Sequence, residues 1–300
     1  MRPVSLGAMH EIELPGGVTR YWDYPAEGPV APGTIVAVHG FRGDHHGLEP
    51  VVGNLPGRHV VMPDLPGFGR SDAFADRAHD IVGYAAWLGE FVRALAPAGP
   101  VTLLGHSFGS IVVAAAVAEG LVDAPASVVL VNPIGAPALK GPKALGTGAA
   151  ILYYRLARDL PADAGNALLR NPAIVRAMSA MMATTREPAL RRWIHGQHDA
   201  YFSSFADRSS LLESFTASVS HDVSEYAARI TVPVLLVAAA QDQITPVAAE
   251  RRLAGLFPDA RLEVIDRVGH LIHYEKPAEA ASLIDAFLAE RVDAPADGAA

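Results

Sequence analysis

Short apolar runs set what this chain can fold into: Thr34–Val38, His59–Met62, Val101–Leu104, Ser127–Val131 and Val232–Ala238 are rich in β-branched residues and offer almost no polar face. Runs of this length are too short for buried helices and fit strands covered on both faces. A further strand reads at Arg261–Ile265. Between the runs lie helical stripes, the clearest from Ile81 to Leu95, with apolar residues at 81, 84, 85, 88, 91, 92 and 95. Strands alternating with helices imply parallel βαβ units, so the expected fold is α/β, a mostly parallel central sheet flanked by helices. Residues 11–24 alternate weakly across Pro15-Gly16-Gly17, which predicts an antiparallel hairpin at the sheet edge.

The alternation stops after the sixth strand. From residue 136 to 228 no strand run appears; a loop-like stretch from Pro137 to Gly148 is followed by helical patterns at 151–160, 162–169, 172–182, 188–205 and 209–219. The expected division is a core of residues 1–135 and 229–292, a helical cap at 136–228, and a flexible tail at 293–300.

Several functional classes are disfavoured by what is missing. Formal net charge is -8 with no Lys/Arg-rich run, so nucleic acid is not an expected partner. Cysteine is absent, which removes disulfides, thiolate metal sites and cysteine nucleophiles. No apolar segment approaches the roughly twenty residues of a spanning helix, and residues 1–10 do not read as a signal peptide, so a cytoplasmic protein without a membrane partner is expected. In the segment Asp64-Leu65-Pro66-Gly67-Phe68-Gly69-Arg70-Ser71 the third glycine of a dinucleotide fingerprint is lacking, and no Gly-Lys-Ser/Thr occurs anywhere. No cofactor is expected.

The chemistry centres on Gly105-His106-Ser107-Phe108-Gly109, where an apolar run enters, a small-residue corner interrupts, and a second apolar run leaves. A turn of this kind between strand and helix forces the serine into strained dihedrals and lifts its hydroxyl clear of the sheet. In this Gly-x-Ser-x-Gly elbow the chain resembles the α/β-hydrolase superfamily, and the resemblance extends over residues 11–292. It implies a serine, acid, histidine order along the chain. After Ser107, Asp242 follows the strand at 232–238 and His270 follows the strand at 261–265, both at the sheet edge where ligands bind in open α/β folds.

Competing residues have other readings. Some relatives carry the acid after the sixth strand, but Asn132 stands there and bears no charge; Asp64 reads as a loop-organising residue, and Asp242 could alternatively be only a helix cap. Among twelve histidines, His106 lies inside the elbow, His39 in the corner His39-Gly40-Phe41-Arg42-Gly43, and His45 and His46 in a polar loop. His273 is three residues past His270, and His195 and His198 are spaced i, i+3 without a further matched ligand, so no metal is expected.

What the resemblance implies is a capped serine hydrolase: Ser107 as nucleophile, His270 as base, Asp242 as acid, and an oxyanion hole from the backbone N–H groups of Phe41 and Phe108. Serine at the elbow argues against the epoxide hydrolases and haloalkane dehalogenases of this fold, which attack with aspartate. His39, Gly40, Trp193 and Tyr153 are candidate substrate-binding residues, although apolar residues at helical spacing more often form a cap's own core. Arg42, Arg191 and Arg192 read as solvated charge rather than as a carboxylate site. The expected substrate is a small or medium carboxylic ester with an apolar portion, hydrolysed through an acyl-enzyme. A carbon–carbon bond hydrolase, a thioesterase or lactonase, and a non-catalytic ligand-binding protein are the alternatives.

Overall fold

A computed structural model describes residues 7–136 and 144–293. Along the chain, β1 (Ala8–Leu14), β2 (Gly17–Tyr24) and β3 (Thr34–Val38) precede α1 (Glu49–Val52), β4 (His59–Pro63), α2 (Ile81–Leu95), β5 (Val101–His106), α3 (Phe108–Ala118) and β6 (Ser127–Val131). Among the described residues five helices follow without a strand: α4 (Ala144–Asp159), α5 (Ala162–Leu169), α6 (Pro172–Met182), α7 (Pro188–Tyr201) and α8 (Arg208–Ser220). The sheet then resumes with β7 (Val234–Ala239), α9 (Val247–Ala254) and β8 (Ala260–Ile265), and α10 (Ile272–Glu275) and α11 (Pro277–Arg291) end it.

Strand order is β1-β2-β4-β3-β5-β6-β7-β8. The predicted hairpin, β1 on β2, and the β2–β4 pair are antiparallel, and every later pair is parallel. Successive residues of the buried strands serve opposite faces, as the period of two demands. Val36, Val38, Leu103, Val128 and Leu130 pack with α2 and α3, whereas Ile35, Ala37, Leu104, Val129 and Val131 pack with α1 and α11. The α2 stripe read from sequence is this contact: Ile81, Tyr84, Leu88 and Phe91 are buried, each worth about 1.5–3 kcal/mol of transfer energy. Asp80 caps that helix by accepting from Gly83 N at 2.8 Å, and Ala96 ends it in the left-handed region at φ 44°.

Register brings the carboxyl ends of the central strands to one edge, with Val38 opposite Gly105, His106 opposite Val131, and Val131 opposite Val237. The residues that follow these strands therefore converge. On either side of the helical insertion the chain is drawn together at a neck, where Val223 N donates to Ile134 O at 2.9 Å.

Two helix boundaries differ clearly from the sequence reading. Of the stretch expected as loop from Pro137 to Gly148, residues 137–143 lie outside the described residues and the rest is helical from Ala144, because buried Tyr154 and Ala157 anchor α4 and outweigh the cost of about 1 kcal/mol per helical glycine. The helix expected to reach 205 ends at Tyr201, since the next residues pair with the glycine loop: Gly69 N donates to Ser204 O at 2.7 Å and Ala206 N to Gly67 O at 2.9 Å. Of the expected tail, residues 294–300 lie outside the described residues, and Asp293 is held by Arg58 Nη1 at 2.9 Å. Among the described residues, no helix is long and apolar enough to cross a membrane.

Candidate active site

Ser107 sits between β5 and α3 with φ 52° and ψ -117°, a region that L-residues enter only under constraint. The constraint is visible in the two flanking glycines. A Cβ on Gly105 would lie 2.5 Å from Gly109 O, and one on Gly109 would lie 2.3 Å from Val38 O. Hydrogen bonds fix the serine backbone from both sides: its N–H donates to Val131 O at 3.1 Å, and its carbonyl accepts from Ser110 N and Ser110 Oγ. Ser110 Oγ in turn accepts from Ile134 N at 3.2 Å, linking the neck of the insertion to the elbow.

His270 Nε2 is 2.8 Å from Ser107 Oγ, and His270 Nδ1 is 2.8 Å from Asp242 Oδ2. The structure thus brings together the three residues that the sequence singles out. Asp242 Oδ1 accepts from Ile244 N at 2.6 Å and Thr245 N at 3.1 Å, as a cap would, while Oδ2 also accepts from Asn132 Nδ2 at 2.7 Å. Burial alone would raise the Asp242 carboxyl, but the His270 ring and these donors outweigh it and hold the acid below its ordinary range. Asn132, in the left-handed region at φ 45°, therefore supports the acid from the place where an alternative acid was weighed. Asp64 is engaged elsewhere, accepting from His45 N and Nδ1 and from Arg70 N.

The other histidines near the elbow are committed or neutral. His39 Nε2 accepts from Leu65 N at 2.9 Å, which leaves its Nδ1–H to donate to Gly40 O at 2.8 Å. Burial, then the neighbouring His270 ring, lowers His106 to about 3, and burial and the surrounding rings hold His273 well below the ordinary histidine value. Neither accepts a proton near neutral pH.

Gly40 packs against the elbow, so close that a Cβ there would lie 3.2 Å from Ser107 Cβ. Among the described residues the backbone N–H groups of Phe41 and Phe108 donate to no protein acceptor. Phe108 N also opens α3, so the positive end of that helix faces the elbow. The Phe41 ring packs among Phe68, Phe108, Tyr154 and Phe215 at centroid distances of 5.9 to 6.3 Å.

A cavity of about 160 Å³ opens over Ser107 and His270. His39, Gly40 and Phe41 line it from the core, and Met182, His198 and Phe202 from the insertion. Trp193 and Tyr153, expected at the substrate, are not among its lining residues: Trp193 stacks edge-on against Tyr274 at 5.3 Å, and Tyr153 donates its hydroxyl to Leu168 O at 3.2 Å. Arg42 is not solvated either. It is buried, adopts φ 63°, and donates to Phe202 O at 3.0 Å, Tyr154 Oη at 3.2 Å and Leu169 O at 2.7 Å. Leu169 ends α5 and Phe202 caps α7, so two helix carboxyl termini face this guanidinium beside Phe41.

Other supporting residues carry little sequence signal. Thr184 Oγ1 accepts from Gly269 N at 3.0 Å and donates to Glu275 at 2.6 Å, tying the His270 loop to the insertion. Glu250 is buried with neither carboxyl oxygen hydrogen-bonded among the described residues, and burial, then Asp242, pushes it up to about 9. Asp44, His45 and His46 present ligand atoms within 4.8 Å of one another, but each ring already directs Nδ1 at a carboxylate, His45 at Asp64 and His46 at Asp44.

Comparison with known proteins gives a consistent picture. Residues 33–277 match the alpha/beta hydrolase fold family. Lipase 1 of Psychrobacter immobilis is 24% identical over 268 residues, covering 88% of this chain and 79% of the lipase. The biotin biosynthesis bifunctional protein BioHC of Teredinibacter turnerae is 24% identical over 86% of this chain, which spans only 45% of that protein. The solved esterase of Exiguobacterium antarcticum superposes with a TM-score of 0.74 over 95% of this chain and 100% of the esterase, at 20% identity.

Proposed function

From the premise that the chain belongs to the alpha/beta hydrolase fold family and is a hydrolase, we propose that it cleaves small carboxylic esters through an acyl-enzyme on Ser107. The observation that carries this reading is the unbroken chain Asp242 Oδ2, His270 Nδ1, His270 Nε2, Ser107 Oγ, two links of 2.8 Å opening on a cavity. A serine hydroxyl is a weak nucleophile without a base in reach.

Ser107 Oγ attacks the ester carbonyl carbon as its proton passes to His270 Nε2, and Asp242 stabilises the imidazolium through Nδ1–H. The oxyanion accepts from Phe41 N–H and Phe108 N–H, donors already oriented before the charge develops. Collapse expels the alkoxide, which takes the proton from His270. Water then loses a proton to His270 and attacks the acyl carbon, the carboxylic acid leaves, and Ser107 regains its proton.

Residues 136–228 act in this reading as a cap that roofs the cavity through Met182, His198 and Phe202. At about 160 Å³ the chamber is near the size that encloses a benzene ring and well below drug-sized sites. One side of the ester, of about six heavy atoms, fits within it.

A fluorophosphonate probe is expected to label the protein at Ser107, with labelling and p-nitrophenyl acetate turnover both lost in Ser107→Ala. A folded protein that neither labels nor hydrolyses any ester sinks the proposal.

A further inference from the structure

Beyond the triad, one wall of the cavity is polar. His198 is 4% exposed and lines it, with Nδ1 2.7 Å from Ser179 Oγ. Its Nε2 has no hydrogen-bond partner among the described residues. Tyr274 lines the same cavity, its hydroxyl equally without a partner there and 3.8 Å from where a Gly47 Cβ would stand. Asp44 supplies a third polar group, with Oδ1 bonded to His46. Resting on the ester-hydrolase reading, we infer that His198, Tyr274 and Asp44 form a subsite for a hydroxyl group on the cavity-bound portion of a neutral ester.

The chemistry of the three groups favours that ligand. A hydroxyl brings one donor and two acceptor lone pairs. Asp44 accepts, and Tyr274 donates or accepts, its phenol held protonated by burial and by the acidic neighbours Asp44 and Glu49. His198 is neutral near pH 7, lowered to about 4 by burial and then by His195. A carboxylate is disfavoured, since among the described residues the lining includes no Lys or Arg, and Arg42 lies outside the lining and donates to partners of its own.

Ser179 makes His198 adaptable. His195 Nδ1 lies 2.6 Å from the same Ser179 Oγ. One hydroxyl proton cannot serve two acceptors, so whenever Ser179 donates to one ring the other ring donates to it. When Ser179 donates to His198, the proton of that ring is on Nε2 and faces the ligand as a donor. In the opposite state, Nε2 is an acceptor. Ser179 is accordingly a positioning residue, buried and out of reach of substrate.

Selectivity within paired substrates tests this independently of total activity. On the acyl side, p-nitrophenyl 3-hydroxybutyrate is compared with the butyrate and with p-nitrophenyl monosuccinate; on the alcohol side, 3-hydroxybutyl acetate is compared with butyl acetate. The expected result is a kcat/KM preference of at least about fivefold for the hydroxylated member of one pair, with the succinate slowest of its series. The ratio is expected to fall to near one in His198→Phe, to be partly retained in His198→Gln, and to shrink in Ser179→Ala. A ratio near one on both sides in the parent, or an unchanged ratio in His198→Phe, overturns the subsite while fluorophosphonate labelling leaves the hydrolase reading standing. Absence of labelling and of all turnover overturns both.

Discussion

Asp242→Asn isolates what the carboxylate does for His270. Ile244 N and Thr245 N donate to Oδ1 at 2.6 and 3.1 Å, so an asparagine keeps its carbonyl oxygen there and places its NH₂ where Oδ2 was. Among the described residues, Asn132 Nδ2 and His270 Nδ1 donate to that oxygen. Asn132 adapts readily, because its own Oδ1 is buried without a partner and a 180° amide flip turns donor into acceptor. His270 adapts only by moving its proton from Nδ1 to Nε2, which aims that proton at Ser107 and removes the base. Returning to the reactive tautomer sets two N–H groups face to face and leaves both buried and unpaired, about 4–5 kcal/mol in all. At 1.36 kcal/mol per tenfold, kcat falls by about 10³–10⁴. The assay is p-nitrophenyl ester hydrolysis at pH 7 alongside a thermal melt, with the melting temperature expected to move by only a few degrees. Activity within tenfold of the parent, at an unchanged melting temperature, would refute the reasoning.

Acid should unfold the protein early. His106 and His198 are held near 3 and 4 when folded but take protons at about pH 6.5 when unfolded, so stability is complete above pH 6.5 and drains as pH falls towards those values. At pH 5 each costs about 2 kcal/mol, and a urea midpoint identical at pH 7 and pH 5 contradicts this. Glu250 acts in the opposite direction: raised to about 9 from 4.5, it stabilises below pH 4.5, and that contribution is lost as pH rises towards 9. Glu250→Gln is therefore expected to add a few kcal/mol at pH 8 and little at pH 4.5, as read by melting temperature. Arg42→Lys replaces a planar fork by a point charge that serves fewer of its three acceptors; a melting-temperature loss of several degrees is expected, and none would show that the guanidinium contacts carry no stability.

How much the sequence tells depends on what a residue's neighbours must do. Ser107 and Asp242 follow buried strands and His270 follows a half-buried edge strand, and parallel strands deliver their carboxyl ends to one edge, so punctuation marks the positions while the resemblance supplies their order. Trp193 and Tyr153 lie on amphipathic helices, where periodicity locates an apolar face without saying whether core or cavity covers it. Arg42 looked like surface charge because the helix carboxyl termini that surround it come from residues 169 and 202, far away in sequence. The spacing of His195 and His198 showed that they share a helix face, but not that Ser179 lies between them. Glu250 carries no local signal at all: a glutamate beside two arginines reads as solvated, and only the packing of α9 against Gly135 buries it.

The neck at Ile134 and Val223 has an evolutionary consequence. β6 and β7 pair directly, Val128 opposite Val234 through Val131 opposite Val237, and a backbone hydrogen bond from Val223 N to Ile134 O closes the segment between them; lengthening such a loop twofold costs only about 0.6 kcal/mol in closure entropy. The helical segment is in that sense an interchangeable cassette. A replacement segment would have to restore the contacts that this one makes to the core, Thr184 with Gly269 and Ser204 with Gly69 among them. A laboratory graft of a foreign helical segment between these two residues is the corresponding engineering route.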